Sequence, residues 1–316
     1  MRESKSMTAP RVAVVVVTYN SAGPLPGLLA SLPAGLAGLD WRLIVADNDS
    51  ADDSVTLADS AVPGCRIVRM GRNAGYAAAL NAGLAHAGEF DAALVLNPDV
   101  RLGDGVIGKL YAALGERGPD RVGIAVPRIL DENGHLARSL RRRPTIARAL
   151  GEALAGQRAG RLAPFGETVL DDDAYRRPTV VDWATGAIML MSGACLADCG
   201  PWDESFFLYS EETEFALRAA DHGYATVLVP EAEVTHLGGD SRVSPRLWSL
   251  LTVNRVRLYR MRHSTPAAAG YWSAVALREA LRAALGQERS RQALRALVRP
   301  STLELGRAGA VGTSKN

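Results

Sequence analysis

Uninterrupted apolar runs alternate with stretches of helical spacing along the first part of the chain. The apolar runs predict buried parallel strands, and they lie at residues 11–17, 41–46, 66–70, 92–96 and 122–126. The helical stretches between them lie at residues 25–32, 52–60, 74–87 and 104–117. Strands that alternate with helices in this way predict a doubly wound, mostly parallel α/β sheet.

The middle of the chain is less regular. A further strand is predicted at residues 188–191, and a helix is predicted to begin at Ser210, as its N-cap, and to end near His222. Residues 156–178 are polar and punctuated by glycine and proline, so we expect a loop. The basic segment 138–144 is expected to be a loop whose arginines either lie in solvent or bind an anionic acceptor.

The last quarter of the chain is predicted to be helical. Three helices are expected, at residues 245–262, 266–285 and 290–299. Leu277, Leu281 and Leu285 form one apolar stripe with arginines beside it, so this region either lies on a membrane surface or packs its leucines on the preceding domain. The first ten residues and the tail 300–316 are expected to be disordered.

One turn, Asn97-Pro98-Asp99, follows the apolar strand 92–96. Pro98 cannot donate to a sheet ladder, so the strand is predicted to end there. In an open α/β sheet, the carboxyl ends of the strands line the crevice where ligands bind. A carboxylate at this position is suited to hold a divalent cation against a diphosphate, although a strand followed by a simple turn also explains the pattern.

Charge and composition limit the classes to which the protein can belong. Hydrophobic residues make up 47% and charged residues 22%, as in an ordinary globular protein, and no apolar run is long enough for a transmembrane helix. Residues 242–316 hold 14 lysines and arginines against three acids, so the remainder of the chain is acidic. A basic end on an acidic body favours a polyanionic surface as neighbour. The three cysteines have no partners for a zinc site and are expected to be buried and reduced.

The strand ends carry no common nucleotide-binding loop. No G-x-G-x-x-G follows the first strand and no G-x-x-x-x-G-K-[ST] occurs, which argues against a dehydrogenase and a P-loop NTPase. Polar residues instead follow three strands, at positions 18–20, 47–49 and 97–99, and could line one crevice. Asp47 could bind a pyrimidine or a ribose there, or could only cap the next helix.

Three acids, Glu211, Glu212 and Glu214, lie in the first turn of the helix predicted after Ser210. The helix dipole favours acids in this turn, which explains any one of them without a function. Two adjacent carboxylates cannot share one helix face. We therefore expect one of Glu211 and Glu212 to serve the structure and the other to face a cleft.

Several of these blocks together resemble a known family. They are residues 16–20 (VVTYN), 46–50 (ADNDS), 73–76 (NAGY) with Asn81, 97–99 (NPD), 185–187 (TGA), and 202–214 (WDESFFLYSEETE) with Arg218 and His236. In order and spacing they are similar to the inverting family 2 glycosyltransferases of GT-A fold. Within that family the chain is most similar to bacterial, especially actinobacterial, rhamnosyltransferases that act on N-acetylglucosaminyl-diphosphoryl-polyprenol.

The resemblance implies a role for each matching residue. It implies Glu212 as the catalytic base, and Asp99 with His236 as ligands of a divalent metal, Mg²⁺ or Mn²⁺. The donor would be bound by Thr18, Tyr19, Asn20, Asp47, Asn73, Gly75, Asn97 and Asp99. The acceptor would be bound by Gly186, Asp203, Glu211 and Arg218. Two departures from the family pattern are Asn97 in place of the first aspartate of Asp-x-Asp, and glutamate in place of aspartate at 211–214.

The resemblance also implies an organisation of the chain. Residues 11–241 would be the GT-A domain, with a nucleotide-sugar half at 11–126 and an acceptor half at 127–241, followed by a basic helical region at 242–299. The expected partners are dTDP-rhamnose, a polyprenyl-diphosphate-linked saccharide and the anionic inner face of the cell membrane. A cytoplasmic, peripheral enzyme is expected, and a homo-oligomer is compatible with the sequence.

The chemistry of sugar transfer accounts for these residue types. Displacing a nucleoside diphosphate builds negative charge on the leaving oxygen, which a divalent cation can stabilise. The attacking hydroxyl must lose a proton, which a carboxylate on the opposite face can accept. Alternatives are a family 2 transferase for UDP- or GDP-sugars, an inactive sugar-nucleotide-binding protein, and a nucleic-acid-binding protein. The last is disfavoured by the acidic body and the lack of an aromatic platform.

Overall fold

A mixed sheet of ten strands lies at the centre of the part of the chain that the computed structural model describes, residues 9–117, 120–238 and 244–299. The strands are β1 (Arg11–Thr18), β2 (Asp40–Asp47), β3 (Arg66–Arg69), β4 (Ala92–Leu96), β5 (Val100–Leu102), β6 (Gly115–Arg117), β7 (Asp120–Leu130), β8 (Leu140–Arg141), β9 (Thr179–Val181), β10 (Trp183–Ala184), β11 (Ile188–Ser192) and β12 (Tyr224–His236). Of these, β8 and β10 form a separate two-stranded ladder. The segments predicted to be disordered at 1–8 and 300–316 lie outside the described residues.

Ten helices accompany the strands in the described ranges. They are α1 (Leu25–Gly35), α2 (Ser54–Ala61), α3 (Tyr76–Ala85), α4 (Val106–Ala113), α5 (Ile146–Ala155), α6 (Gly193–Cys199), α7 (Glu211–Asp221), α8 (Pro245–Arg262), α9 (Thr265–Ala284) and α10 (Glu288–Val298). None of these helices is long and apolar enough to cross a membrane.

The strand order is β3-β2-β1-β4-β11-β7-β12-β5. The first four strands run parallel, and β7 and β12 are parallel to each other, while β11 runs antiparallel between β4 and β7. The predicted mostly parallel α/β sheet is therefore confirmed. Every residue from Val12 to Val17 is buried, because helices cover both faces and alternate side chains enter two separate cores.

Two predicted boundaries are wrong because the backbone changes direction. Helix α4 ends at Ala113, since Gly115 has φ 106° and turns the chain into the hairpin strand β6. Strand β7 continues past Pro127 to Leu130, because its pairing with β12 shifts register between Val229 and Glu233. Irregularities of this kind are where a sheet accommodates proline.

The segment predicted as a long loop, residues 156–178, has structure of its own. It contains short 3-10 helices at Gly156–Arg161 and Asp172–Tyr175. The guanidinium of Arg142 holds it by donating to the backbone oxygens of Gly160, Gly166 and Thr168. Arg142 is thus committed to internal contacts, and Arg141 lies half-buried beside Trp183.

The three predicted C-terminal helices are confirmed, and they pack on the preceding part of the chain through α5. Tyr271, Ala274 and Val275 of α9 are buried in a third apolar core. The Arg255 guanidinium of α8 contacts Glu152 and Glu167, which ties α8 to α5 and to the 156–178 segment. The C-terminal region is therefore built into the fold.

Candidate active site

The carboxyl ends of β4 and β12 bring Asp99 and His236 together. After β4 the chain turns through Asn97-Pro98-Asp99 into β5, which pairs antiparallel with the end of β12 so that Val100 faces His236. His236 Nε2 consequently lies 3.1 Å from Asp99 Oδ1. Residues that are 137 positions apart in sequence thus meet at the crevice edge, as the resemblance implies.

Asp47, at the end of β2, is held by a network of hydroxyl and amide donors. The hydroxyls of Thr18 and Ser50 donate to its Oδ1 at 2.9 and 2.6 Å, and the Ser50 amide donates to Oδ2. Thr18 is fully buried behind Asp47, whereas Tyr19 is 49% exposed at the mouth of the crevice. Tyr19, unlike Thr18, therefore has a side chain that a ligand can contact.

Asn20 and Asn48 connect the loops around this pocket. The backbone amide of Asn20 donates to Ser50 Oγ, and the side-chain oxygen of Asn20 accepts from the backbone amide of Ala51. The backbone of Asn20 is left-handed. The buried Asn48 side chain donates to the Gly75 oxygen at 3.1 Å and accepts from the Ala74 amide. The sequence places Asn48 inside a motif but does not single it out as a site residue, because its role depends on this contact between distant loops.

Gly75 lies against the loop that precedes α7. A Cβ atom at this position would lie 2.4 Å from the backbone oxygen of Phe207, and φ is 93°. The Tyr76 amide donates to that same oxygen at 2.8 Å, while Asn73 caps the turn by accepting from the Gly75 amide. Only glycine fits here, because the two loops touch through their backbones.

Glu211 and Glu212 begin α7 and turn their carboxyl groups inward. The Oε2 atom of each is buried without a hydrogen-bond partner among the described residues. Burial raises the pKa of Glu212 above the ordinary value, and burial together with the adjacent Glu212 charge raises the pKa of Glu211 further. Ionisation is therefore easier for Glu212 than for Glu211.

The absence of a side chain at Gly186 leaves room for the Glu212 side chain beside the Gly186 backbone. A Cβ at Gly186 would lie 3.3 Å from Glu212 Cβ. Gly186, which the family resemblance assigns to the acceptor, therefore lies directly beside Glu212 of α7. The predicted N-cap at Ser210 has the correct position, but its side chain makes no cap, because a left-handed backbone (φ 76°) replaces the extended one that capping requires.

The Tyr76 hydroxyl is a further candidate that the sequence motif contains but does not mark. It is buried without a partner among the described residues. Burial, followed by the negative charges of Glu211, Glu212 and Asp99, raises its pKa, so the group remains a neutral donor. A neutral phenolic hydroxyl without a partner can donate a hydrogen bond to a bound ligand.

The remaining acceptor-side residues differ in their placement. Asp203 caps a turn of the loop before α7 by accepting from Ser205. Arg218 is turned away: its Nε and Nη2 atoms donate to Glu214 at 3.0 and 2.8 Å, and Nη1 donates to Cys199. Six helical positions after Glu212, Arg218 faces a different side of α7, so the structure does not bring it to the crevice.

Asp99 and His236 offer a carboxylate oxygen and an imidazole nitrogen to one cation. No group of three or more histidine, cysteine or acidic side chains suited to a metal occurs in the described ranges. Magnesium and manganese commonly take one or two protein ligands and complete their coordination with water and substrate phosphates. The pair therefore fits an ion that binds together with a nucleoside diphosphate. All three cysteines are free thiols; Cys195 and Cys199 are buried as predicted, whereas Cys65 is only half-buried.

The sequence from residue 13 to residue 176, just over half of the chain, matches the family described as Glycosyl transferase family 2. The chain belongs to glycosyltransferase family 2. It is 32% identical over 239 residues to the N-acetylglucosaminyl-diphospho-decaprenol L-rhamnosyltransferase of Mycobacterium tuberculosis, covering 71% of this chain and 75% of that protein. It is also 28% identical over 222 residues to a low-salt glycan biosynthesis hexosyltransferase of Haloferax volcanii, covering 66% and 61% of the two chains.

Solved glycosyltransferases share the fold at low sequence identity. The mannosyltransferase PcManGT from Pyrobaculum calidifontis, solved with GDP-Man and Mn²⁺, has a TM-score of 0.56 at 16% identity and covers 96% of this chain and 86% of its own. GalNAc-T7, solved with UDP, GalNAc and Mn²⁺, has a TM-score of 0.52 at 16% identity over 81% of this chain and 51% of its own. The predicted GT-A fold with a helical C-terminus is confirmed, and this family 2 member is a glycosyltransferase.

Proposed function

We propose that this glycosyltransferase moves L-rhamnose from dTDP-rhamnose to a lipid-linked saccharide of the N-acetylglucosaminyl-diphospho-polyprenol type, in cell-wall or polysaccharide assembly. The identity to a mycobacterial rhamnosyltransferase whose name specifies such an acceptor supports the substrate class. In this proposal residues 11–126 bind the nucleotide sugar, residues 127–241 form the acceptor side and residues 242–299 are a helical support.

The carboxylate of Glu212 carries the proposal for the chemistry. It begins α7 at the crevice, packs against Gly186, and has a buried oxygen without a hydrogen-bond partner in the described structure. A carboxylate that is not already engaged can accept the proton of an incoming sugar hydroxyl. The pKa of Glu212 is raised by burial, which makes its anion a stronger base while leaving it ionised more readily than Glu211.

The donor is proposed to bind on the other side of the crevice. Tyr19, Asn20 and Asp47 would contact the nucleoside, with Thr18 fixing the Asp47 carboxylate. Asn73, Gly75 and Asn97 would lie along the sugar diphosphate. Tyr76 would donate from its neutral hydroxyl to an oxygen of the bound donor, because no acceptor in the described residues engages it.

Asp99 and His236 would hold a divalent ion, Mg²⁺ or Mn²⁺, through Oδ and Nε2 atoms that lie within 3.1 Å of each other. When bound, the ion would supply charge neutralisation at the leaving diphosphate. Transfer would proceed by one in-line displacement: the acceptor hydroxyl attacks the anomeric carbon, Glu212 takes its proton, and the bond to the diphosphate breaks. The product would have the inverted anomeric configuration.

The acceptor lies in a bilayer with its diphosphate at the headgroups, so the enzyme is proposed to act as a peripheral protein on the cytoplasmic face of the membrane. Asp203 and Glu211 would border the acceptor sugar. Arg218 is left out of this role, because its donors are committed to Glu214 and Cys199. A homo-oligomer is compatible with this arrangement and is not required by it.

A donor panel tests the proposal. Purified protein, Mn²⁺ and a short-chain N-acetylglucosaminyl-diphospho-prenol would be incubated with dTDP-rhamnose, UDP-sugars or GDP-sugars, with nucleotide release and product mass measured. We expect dTDP release that depends on the acceptor, and a product heavier by one deoxyhexose. Release of only UDP or GDP would refute the rhamnosyl assignment and favour another family 2 donor. No release with any donor would refute the transferase proposal.

A further inference from the structure

The outer face of α9 carries no charged side chain. Residues spaced by four positions, Ala269, Ser273, Leu277, Leu281 and Leu285, are all exposed. A helix on the surface of a globular domain ordinarily has polar and charged residues on this side. The opposite side of α9, with Tyr271, Ala274 and Val275, is buried in the fold, so the exposed leucines are not the packing face of the helix.

Helix α5 and the segment after it extend the same kind of surface. Leu150 and Leu154 are exposed on α5, and Leu162 and Phe165 are exposed in the segment that lies against it. A Cβ at Gly151 would touch Phe165, and one at Gly270 of α9 would lie 3.1 Å from Ile146 of α5. The three segments are therefore neighbours. We name their exposed side chains the leucine ridge, which consists of Leu150, Leu154, Leu162, Phe165, Leu277, Leu281 and Leu285.

The size of the exposure makes the ridge unusual. Leu154 is 76% exposed and Leu285 is 80% exposed, values at which the whole side chain stands in solvent. Seven of the twelve exposed large hydrophobic side chains in the described residues belong to these three neighbouring segments. Single exposed leucines need no explanation, but a contiguous set marks a contact with a partner.

Arginines outnumber exposed acids beside the leucine ridge, in residues 146–166 and 265–289. Glu152, Glu167 and Glu279 are turned inward, with side chains no more than 13% exposed. Glu288, three residues after Leu285, is 55% exposed, and Asp171 to Asp173 are exposed farther along the segment after α5. Arg158 and Arg161 are exposed between α5 and Leu162. The surface thus combines apolar side chains with arginines, and Glu288 is the exposed acid nearest to it in sequence.

We propose that the leucine ridge is the surface with which the protein enters the interfacial layer of an anionic lipid bilayer. An apolar face flanked by arginines has the composition of interfacial segments, and each arginine near an anionic surface adds roughly 1 kcal/mol before screening. A second copy of the chain is the less suitable occupant, since a two-fold contact would bring the same arginines together. The inference deepens the proposed function, on which it rests for the lipid-linked acceptor.

Vesicle flotation of the full chain tests the ridge without relying on activity. The variant Leu154→Glu with Leu281→Glu places acids on α5 and α9 at exposed positions, so folding should survive, which thermal unfolding checks. Val180→Glu is the matched control, because Val180 is 60% exposed on β9 and outside the ridge. Point substitutions are used because removal of α9 would also remove its buried core residues.

The wild-type protein and Val180→Glu should float with vesicles of equal parts phosphatidylglycerol and phosphatidylcholine. Their binding should weaken with salt and should be much weaker on phosphatidylcholine alone. The double variant should bind at least about tenfold more weakly, since each leucine loses the transfer of its side chain out of water. Equal binding by the double variant, or none by wild type, would overturn the inference. So would a wild-type dimer that the double variant dissociates without any vesicle binding.

Activity on two acceptors separates this inference from the proposed function. With a water-soluble short-chain acceptor the double variant should match wild type, and with a polyprenyl acceptor in vesicles it should be slower. If flotation behaves as stated while neither protein transfers sugar, the proposed function fails and the ridge stands. If both proteins transfer equally from vesicles, the ridge has no part in reaching the acceptor, and the inference fails.

Discussion

Asn254 of α8 donates its side-chain amide to the backbone oxygen of Tyr209 over 3.1 Å, and the same nitrogen donates to the Leu208 oxygen over 2.9 Å. Tyr209 and Ser210 both have left-handed backbones, with φ of 70° and 76°. Such residues cost of order 1–3 kcal/mol each unless their surroundings fix them. The buried Asn254 therefore holds a strained turn immediately before Glu211 and Glu212.

Replacing Asn254 with alanine should lower kcat more than it changes the binding of the donor. The turn before α7 loses two hydrogen bonds, and a displacement of the base by about 1 Å can cost on the order of 100-fold in rate. We expect a fall in kcat of roughly 10- to 100-fold, with nucleotide affinity measured by calorimetry nearly unchanged. Ser249→Ala on the same helix is the control, because Ser249 bonds only to Pro245 within α8. A variant at Asn254 that is less stable but fully active would contradict the positioning role.

Gly75 and Gly71 form a matched pair for the loop contact with Phe207. Both have positive φ, but a Cβ at Gly71 meets open space, whereas one at Gly75 meets the Phe207 oxygen at 2.4 Å. Gly75→Ala should lower the free energy of unfolding by about 2 kcal/mol more than Gly71→Ala, which is typical of overpacking. Chemical denaturation of both variants measures this difference. Equal losses of unfolding free energy in the two variants would show that the loops can move apart without loss of stability.

Glu211→Gln should stabilise the protein increasingly as the pH rises. The folded-state pKa of Glu211 is raised by burial and by Glu212, so between the unfolded and the folded pKa the native chain holds a proton that the unfolded chain has lost. Each pH unit in that window costs wild type about 1.4 kcal/mol of stability, a loss that glutamine avoids. Thermal unfolding from pH 5 to pH 8 should show a growing advantage for the variant over wild type. An advantage that shrinks with pH would mean that Glu211 is ionised in the fold.

Asp99→Asn should remove metal binding that depends on the nucleotide. Asp99 supplies the carboxylate of the Asp99–His236 pair, and the loss of charge stabilisation should raise the barrier to transfer by several kcal/mol, on the order of 100-fold or more in rate. Calorimetric titration of Mn²⁺ in the presence of dTDP measures binding, with the exposed Asp104→Asn as control. An unchanged transfer rate in Asp99→Asn, or in wild type with a chelator, would contradict the assignment of Asp99 as a metal ligand.

The sequence predicted the parts of the fold that depend on local patterns. Continuous apolar runs predicted β1, β2 and β4, because strands buried on both faces have no polar side. Helix α5 received no prediction, since it lies between a basic loop and a polar segment and exposes leucines on one side. The extent of β7 was underestimated, because a register shift against β12 allows Pro127 inside a strand.

The predictions for the candidate site also differ between residues placed by local patterns and residues placed by contacts that are distant in sequence. The family resemblance implies that Asp99 and His236 lie together, and the β5–β12 register explains why they meet. Arg218 was assigned to the acceptor side, but its bidentate contact with Glu214 takes it elsewhere. Tyr76, Asn48 and Asn254 were not singled out, because each acts through contacts between loops that are distant in sequence. The spacing of residues within a motif does not predict such contacts.

The central claim, that Glu212 is the base of a sugar transfer, is tested most directly by single-turnover transfer and donor binding in Glu212→Gln, with Glu211→Gln as the matched control. Glu212→Gln keeps the shape of the side chain and removes the proton acceptor. Its transfer rate should fall by roughly two to four orders of magnitude while the donor still binds. Glu211→Gln should lose less than about tenfold, because burial and the Glu212 charge raise the pKa of Glu211 well above its ordinary value and disfavour its ionised form. An active Glu212→Gln beside an inactive Glu211→Gln would contradict the account.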